Sequence, residues 1–422
     1  MIRGCCLLFV LLLSCPVAIL RAQSDTIVEY PLSQGCCPNG IVTGPDGALW
    51  FTAGYLIGRM TLSGAQSYYS VPFPPQGGIT VGPDNALWFT GSDGSVGYIG
   101  RMTTEGAVTQ YPTPTAYSIP EGITTGPDGA LWFTESIANS IGRITTGGVF
   151  HEYPIPTPNS YPISITCGPD GALWFTESSG NNIGRITTSG MIQEFPLSGG
   201  LESPNWITKG PDGALWFTEL SLPAAMIGRI TTAGKVSSVT LAPNGATGQI
   251  TAGPDGALWF TGGAFNSVGR LTTSGVVVEY PLPTASSFPN GITTGPDGVL
   301  WLVENNAGKI AGASACGIGL NVSLADSTLT INFDVGITTD ATWRAWLVDG
   351  SGGSRLFDKS IGPLASPRAV TDTVPNASGQ GNVLVFTTLS SANGVTCSNE
   401  QLLNTSLNGP ASEPADIPRG PQ

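Results

Sequence analysis

The sequence predicts an all-β protein: a seven-bladed β-propeller followed by a small β-sandwich-like domain. Three observations predict it. A strand-and-turn motif recurs seven times, glycine and proline are abundant, and no stretch of the mature chain carries helical periodicity. Among 422 residues there are 58 Gly and 34 Pro, yet also 10 Trp and no collagen period, which signals many tight turns between short strands.

The turn Gly-Pro-Asp-Gly/Asn, a small or apolar residue, Leu and Trp begins at Gly44, Gly82, Gly126, Gly168, Gly210, Gly253 and Gly295. Its intervals of 38, 44, 42, 42, 43 and 42 residues match the period of propeller blades. Proline presets φ, Asp bonds its own backbone two residues on, and Gly accepts a positive φ. Each unit reads as four strands, for example Gly122–Thr125, Leu131–Thr134, Ile141–Thr145 and Val149–Tyr153, the last closed by Pro154 at an edge that needs no ladder donor. Trp50, Trp88, Trp132, Trp174, Trp216, Trp259 and Trp301 hold one place in every copy and are expected to pack between blades.

The seventh copy, Gly291 to about Ala313, lacks a Val-x-Glu-Tyr-Pro strand, and residues 27–32 at the other end of the propeller region 25–313 carry it. That strand is expected to complete the last blade and leave no open sheet edge. Residues 316–400 alternate apolar and polar positions and suggest a small β domain, bracketed by Cys316 and Cys397 as an expected disulfide. Residues 401–422 are polar and Pro-rich and read as a disordered tail.

Residues 1–22 read as a secretory signal peptide, with Arg3, an apolar run from Leu7 to Leu13 and cleavage after Ala22. A secreted, periplasmic or envelope location follows, with a lipid anchor at Cys15 as the alternative. Removing Arg3 and Arg21 leaves 14 basic residues against 29 acidic, a net charge of −15, which excludes a polyanion such as nucleic acid as partner. No later apolar run is long enough to cross a membrane as a helix. Cys36, Cys37 and Cys167 add to the bracketing pair an odd total, their pairing open, and no spacing suits a zinc site. Asn321, Asn376 and Asn404 begin glycosylation sequons.

The consensus Gly-Ile-Thr-x-Gly-Pro-Asp-Gly-Ala-Leu-Trp-Phe-Thr-Glu, Ile-Gly-Arg-Ile-Thr-Thr-x-Gly and Glu-Tyr-Pro-x-Pro-Thr, nearly complete in residues 120–158, resembles the virginiamycin B lyase (streptogramin lyase) family. The resemblance spans roughly residues 27–313 and implies seven blades and a metal-dependent elimination that linearises a cyclic depsipeptide antibiotic. It implies histidines before the inner strands of the last two blades, a Glu before the last Pro, another acid after the final Trp strand, and Mg²⁺ to stabilise enolate-like charge. In this sequence the histidine positions fall on Gly248 and Asn290, Phe288 stands where the Glu belongs, and Glu304 alone retains its acid as a candidate metal ligand. An amide is no general base, and the only histidine, His151, lies in an outermost strand.

The pre-strand position reads Asn39, Gly77, Glu121, Ile163, Asn205, Gly248 and Asn290. Asn39, Glu121, Asn205 and Asn290 are therefore candidates for a binding rim, against the plainer reading that they fill turns. Glu135, Glu177 and Glu219 after the second strand, and six arginines on the third, repeat too widely to mark one site, and the arginines have the turn Asp as an expected partner. Tyr68, Tyr69 and Tyr98 read as edge packing or an aromatic surface.

The favoured function is an exported monomeric propeller that binds a small molecule, a peptide or an envelope component without histidine-dependent chemistry. The alternatives are a metal-dependent lyase, or lactone- or ester-opening enzyme, using Glu121 and Glu304 on a depsipeptide-like substrate, and a surface adhesion protein.

Overall fold

A computed structural model describes residues 20–21, 27–34, 37–219, 224–243, 247–263 and 266–314, and beyond them the strand segments 318–325, 328–335, 342–349, 355–361, 368–374, 382–390 and 396–404. Most of residues 1–22, Cys36, Cys316 and the residues from 405 on lie outside the described residues, and with them the expected Cys316–Cys397 bond.

The chain divides into two compact units, one ending at Ala313 and the other formed mainly by residues from Ser314 on. The first is a seven-bladed propeller whose blades are antiparallel sheets of four chain-consecutive strands, except at the ends. In blade three the strands are Pro120–Thr125, Leu131–Glu135, Ser140–Ile144 and Phe150–Pro154, from the axis outward. Blade seven takes Pro289–Thr294, Val299–Glu304 and Lys309–Ser314 from one end of the unit and Ile27–Pro31 from the other, with Ile27 opposite Ala313 and Pro31 opposite Lys309. Blade six gains a short parallel neighbour, Leu20–Arg21. The second unit holds a three-stranded and a four-stranded antiparallel sheet, the latter ending with Thr396–Asn404.

The repeated residues explain the repeated sheet. The second strand, Leu-Trp-Phe-Thr in six blades and Leu300-Trp301-Leu302-Val303 in the seventh, is buried at these four positions in every blade. The indoles of blades one to five pack on the Leu and Phe of the following blade, as Trp132 does on Leu173 and Phe175, and Trp301 closes the circle on Leu49 and Phe51. The outer-strand aromatic covers the other side, as Tyr153 does, 5.6 Å from Trp132 at 13°. Tyr69 stacks on Trp50 in the same way and Tyr98 on Phe73, so these tyrosines belong to the packing.

The turn Asp binds two partners at once. In blade three Asp128 Oδ1 accepts the Trp132 Nε1 proton at 3.0 Å and its Oδ2 accepts Arg143 Nε at 2.7 Å. The guanidinium lies 5.8 Å from the indole centroid. Asp46, Asp84, Asp170 and Asp212 do the same with Arg59, Arg101, Arg185 and Arg229. Glycine sits on the third strand where a Cβ on Gly142 would lie 2.1 Å from the Phe133 ring.

Candidate functional site

Because the inner strand runs away from the mouth, its first residues, the second-to-third-strand hairpins and the connectors between blades gather at one end of the disc. Ladder register is broken in every inner strand near this end, as between Pro120 and Ile123. Such a bulge re-aims side chains. Here the second-strand threonine bridges the bulge to the next blade. Thr134 Oγ1 accepts Gly122 N at 3.0 Å and donates to the Ile163 carbonyl of the next blade at 2.8 Å. Thr90, Thr176, Thr218 and Thr261 donate likewise to the carbonyls of Glu121, Asn205, Gly248 and Asn290.

The bulge is preceded by a strained residue. Cys37, Ile119, Tyr161, Ser203 and Phe288, each just before the inner-strand proline, have φ between 48° and 53°. Left-handed backbone is costly for a β-branched or aromatic residue and persists only when neighbours over-determine it. The pinning bonds are visible: the carbonyls of Ile119, Tyr161 and Phe288 accept the amides of Ser136, Ser178 and Asn305 at 3.0, 3.1 and 3.1 Å. Phe288 is half exposed, as are Tyr117 and Ile137 at the same end.

The predicted rim residues fare differently. Asn290 donates through Nδ2 to Asn39 Oδ1, and Asn39 Nδ2 donates to the Gln76 carbonyl at 2.8 Å, so these two amides form one chain across the closing junction. Asn205 is buried. Glu121 is half-buried, its carbonyl beside Gly78, and burial alone pushes its carboxyl up to about 7. Gly248 lies in its bulge, where an added Cβ would meet Thr261 Oγ1 at 2.3 Å.

Glu304 does not open onto the mouth. It is fully buried opposite Pro289, the place that Glu135 and Glu177 occupy opposite Pro120 and Pro162. Its carboxyl oxygens have no hydrogen-bond partner among the described residues. Burial, then the charge of Glu29, push it up to about 8. Glu29 in turn accepts Thr284 N at 2.8 Å, Thr284 Oγ1 at 2.6 Å and Lys309 Nζ at 2.5 Å. Glu135 beside Glu152, and Glu177 beside Glu194, repeat this seam, both pushed up to about 7, chiefly by burial.

The Mg²⁺ that the resemblance implies does not fit these residues. A divalent cation of that kind needs carboxylate oxygens free to turn to it, but Phe288 replaces one acid, Glu29 is committed to Lys309, and no group of three His, Cys, Asp or Glu gathers among the described residues. His151 is exposed on an outer strand opposite Arg143, at the circumference of the disc.

Below the rim the channel opens into a cavity of about 160 Å³, girdled by isoleucines such as Ile41, Ile123 and Ile207. The residue next to the rim position is Gly40, Gly78, Gly122 and Gly291 in four blades but Ser164, Trp206 and Gln249 in three consecutive ones. These three line the cavity on one side. Sequence reading passed over them because it followed the neighbouring position, although the break in the glycine repeat was there to be seen.

Comparison with known proteins agrees with this architecture. The model of the virginiamycin B lyase family matches residues 9–221 and 198–422. A solved streptogramin B lyase is 39% identical over 68% of this chain and 96% of its own, with a TM-score of 0.63. Virginiamycin B lyase from Staphylococcus aureus is 40% identical over 68% of this chain and 98% of its own, with a TM-score of 0.64. A catalytically inactive histidine-to-alanine variant of the Staphylococcus aureus enzyme, solved with quinupristin, is 39% identical over the same shares, with a TM-score of 0.63. No curated protein matches the chain. The repeated blade motif, the seven sheets and these likenesses together place the chain in the virginiamycin B lyase family.

Proposed function

We propose that this chain is an exported, lyase-like propeller that binds a ligand at the channel mouth and does not run imidazole-dependent elimination. One observation carries the reading: the two histidine positions fall on Gly248 and Asn290, and the Asn290 amide is already committed to Asn39. Removing a proton next to a carbonyl needs a base with a pKa near neutrality within reach of the substrate. The only imidazole, His151, is on the circumference. What the mouth offers instead is recognition: aromatic and aliphatic side chains carried on left-handed backbone at Tyr161, Phe288 and Ile119, a polar rim, and the cavity beneath.

The test is incubation of the purified protein and Mg²⁺ with a streptogramin B antibiotic, resolving cyclic from linear forms by chromatography. The expected result is unchanged cyclic antibiotic. Linear product would refute the proposal. A second reading is favoured by Glu121, whose carboxyl stands at about 7 on the rim and is poised to exchange a proton. On that reading Glu121→Gln abolishes whatever linear product is seen, whereas Glu304→Gln, in the buried seam, leaves it.

A further inference from the structure

We infer that the channel takes a flat, uncharged ring bearing a hydrogen-bond acceptor, stacked on Trp206 and held by Gln249 and Ser164. The inference rests on reading the mouth as a binding site and names the chemistry which that site accepts.

The argument begins with the break in symmetry. Where the ring keeps glycine, a side chain does not fit: a Cβ on Gly40 would lie 1.9 Å from the Gly77 carbonyl oxygen, and one on Gly78 2.1 Å from that of Glu121. Scaffold demands therefore favour glycine at this level. Blades four, five and six depart from it together, and the three side chains form one wall of the cavity facing the glycine wall of the other blades. An indole, an amide and a hydroxyl on one wall of an otherwise repeating channel are a built asymmetry.

That wall offers hydrogen-bond donors that have no acceptor among the described residues. Gln249 Oε1 accepts the Ile292 amide at 2.9 Å, which fixes the plane of the carboxamide and leaves both Nε2 protons unpartnered among the described residues. Ser164 Oγ accepts the Ile207 amide at 3.3 Å, so its own proton is available. The Trp206 backbone amide is held by Thr218 Oγ1 at 3.2 Å, while its Nε1 proton has no partner among the described residues. Preoriented donors in an apolar girdle call for an acceptor, because a donor left without one loses its hydration for nothing.

Charge selects against an anion. None of the connectors at the mouth contains Lys or Arg, and Lys309, which begins a third strand at that end, is tied to Glu29. Glu121 stands at the entrance with an ionisable carboxyl. A carboxylate ligand would pass it and lose its hydration without meeting a cation. A carbonyl on a planar ring meets the donors and covers the indole face.

The probe is benzamide, a flat neutral ring with a carbonyl, titrated against the full chain by saturation-transfer NMR. Saturable binding with Kd on the order of 1 mM is expected for so small a ligand. Benzoate should bind at least tenfold more weakly. Trp206→Ala removes the platform and should weaken benzamide about tenfold or more. Gln249→Glu keeps the oxygen that accepts Ile292 N but replaces the donors with a carboxylate, so it should lose benzamide about tenfold and gain benzamidine, the cationic analogue. This second variant needs no loss of packing, so it reports even if Trp206→Ala fails to fold. Absence of saturable benzamide binding, or an unchanged preference in Gln249→Glu, would overturn the inference. A protein that linearises a streptogramin yet switches from benzamide to benzamidine would refute the proposed function and support the channel site. An inactive protein that does not bind benzamide would refute the site alone.

Discussion

At pH 8.5 a Glu304→Gln protein should be more stable than its parent, and at pH 5 the two should match. Glu304 is fully buried, its oxygens lack hydrogen-bond partners among the described residues, and the neighbouring Glu29 carboxylate is already held by Lys309. Burial first, and Glu29 second, raise its pKa from 4.5 to about 8. A carboxyl whose pKa is raised on folding takes up a proton as the chain folds, so its contribution is complete below pH 4.5 and is lost as pH rises to about 8. Each pH unit in that interval costs about 1.4 kcal/mol, or about 5 kcal/mol across it. Glutamine keeps the shape of the neutral acid and removes the titration. Thermal unfolding followed by circular dichroism should therefore show the variant melting on the order of 10 °C above the parent at pH 8.5, and within a few degrees of it at pH 5. A variant that melts lower at pH 8.5, or a parent whose midpoint climbs from pH 5 to pH 8.5, would show that Glu304 is ionised and paired, and the seam argument would fail.

The acidic side of the profile has the opposite sign. Burial raises Asp128, but the hydrogen bonds from Trp132 and Arg143 outweigh it and hold the carboxyl below its ordinary 3.8, as they do in Asp46, Asp84, Asp170 and Asp212. Stability from these groups is lost as pH falls below that value, so the parent should be most stable near pH 4 to 5 in a pH series of melts. Asp128→Asn should cost about 1 kcal/mol, or 2–4 °C, since the pair is partly exposed. Deleting residues 27–31 strips blade seven of its outer strand and should lower the melting midpoint of the whole ring, an unchanged midpoint being the contrary result. Gly142→Ala places a methyl 2.1 Å from the Phe133 ring and should destabilise by about 1–3 kcal/mol in denaturant titration.

The blades were legible because each is a copy of the same local solution: Gly-Pro-Asp-Gly turns, a buried Trp, an Arg that returns to the turn Asp. Repetition made the partner of Arg143 readable, since arginine recurred even where the second-strand Glu did not. The site was less legible. A sequence pattern places Asn39 and Asn290 at equivalent points but does not say that the bulge brings their amides into contact. It lists Glu304 beside Glu135 and Glu177 without showing that all three face another carboxylate inside a seam. Burial and cross-blade approach depend on the curvature of the ring, which no window of one repeat contains. Ser164, Trp206 and Gln249 were open to detection, as departures from glycine, only by comparing blades column by column.

The second-strand threonine, which straps five blades to the next, is replaced in one blade. At the corresponding point of blade seven stands Val303, and the junction with blade one is instead held by the Asn290–Asn39 amides and by Asn305 Nδ2 donating to the Pro38 carbonyl at 3.1 Å. The bonded side chains at this seam lie some 250 residues apart in sequence. At this seam carboxamides stand where the second-strand hydroxyl stands elsewhere, so deamidation of Asn290 falls on the contact with blade one, and deamidation of Asn39 falls on its contacts with blade seven and blade two alike.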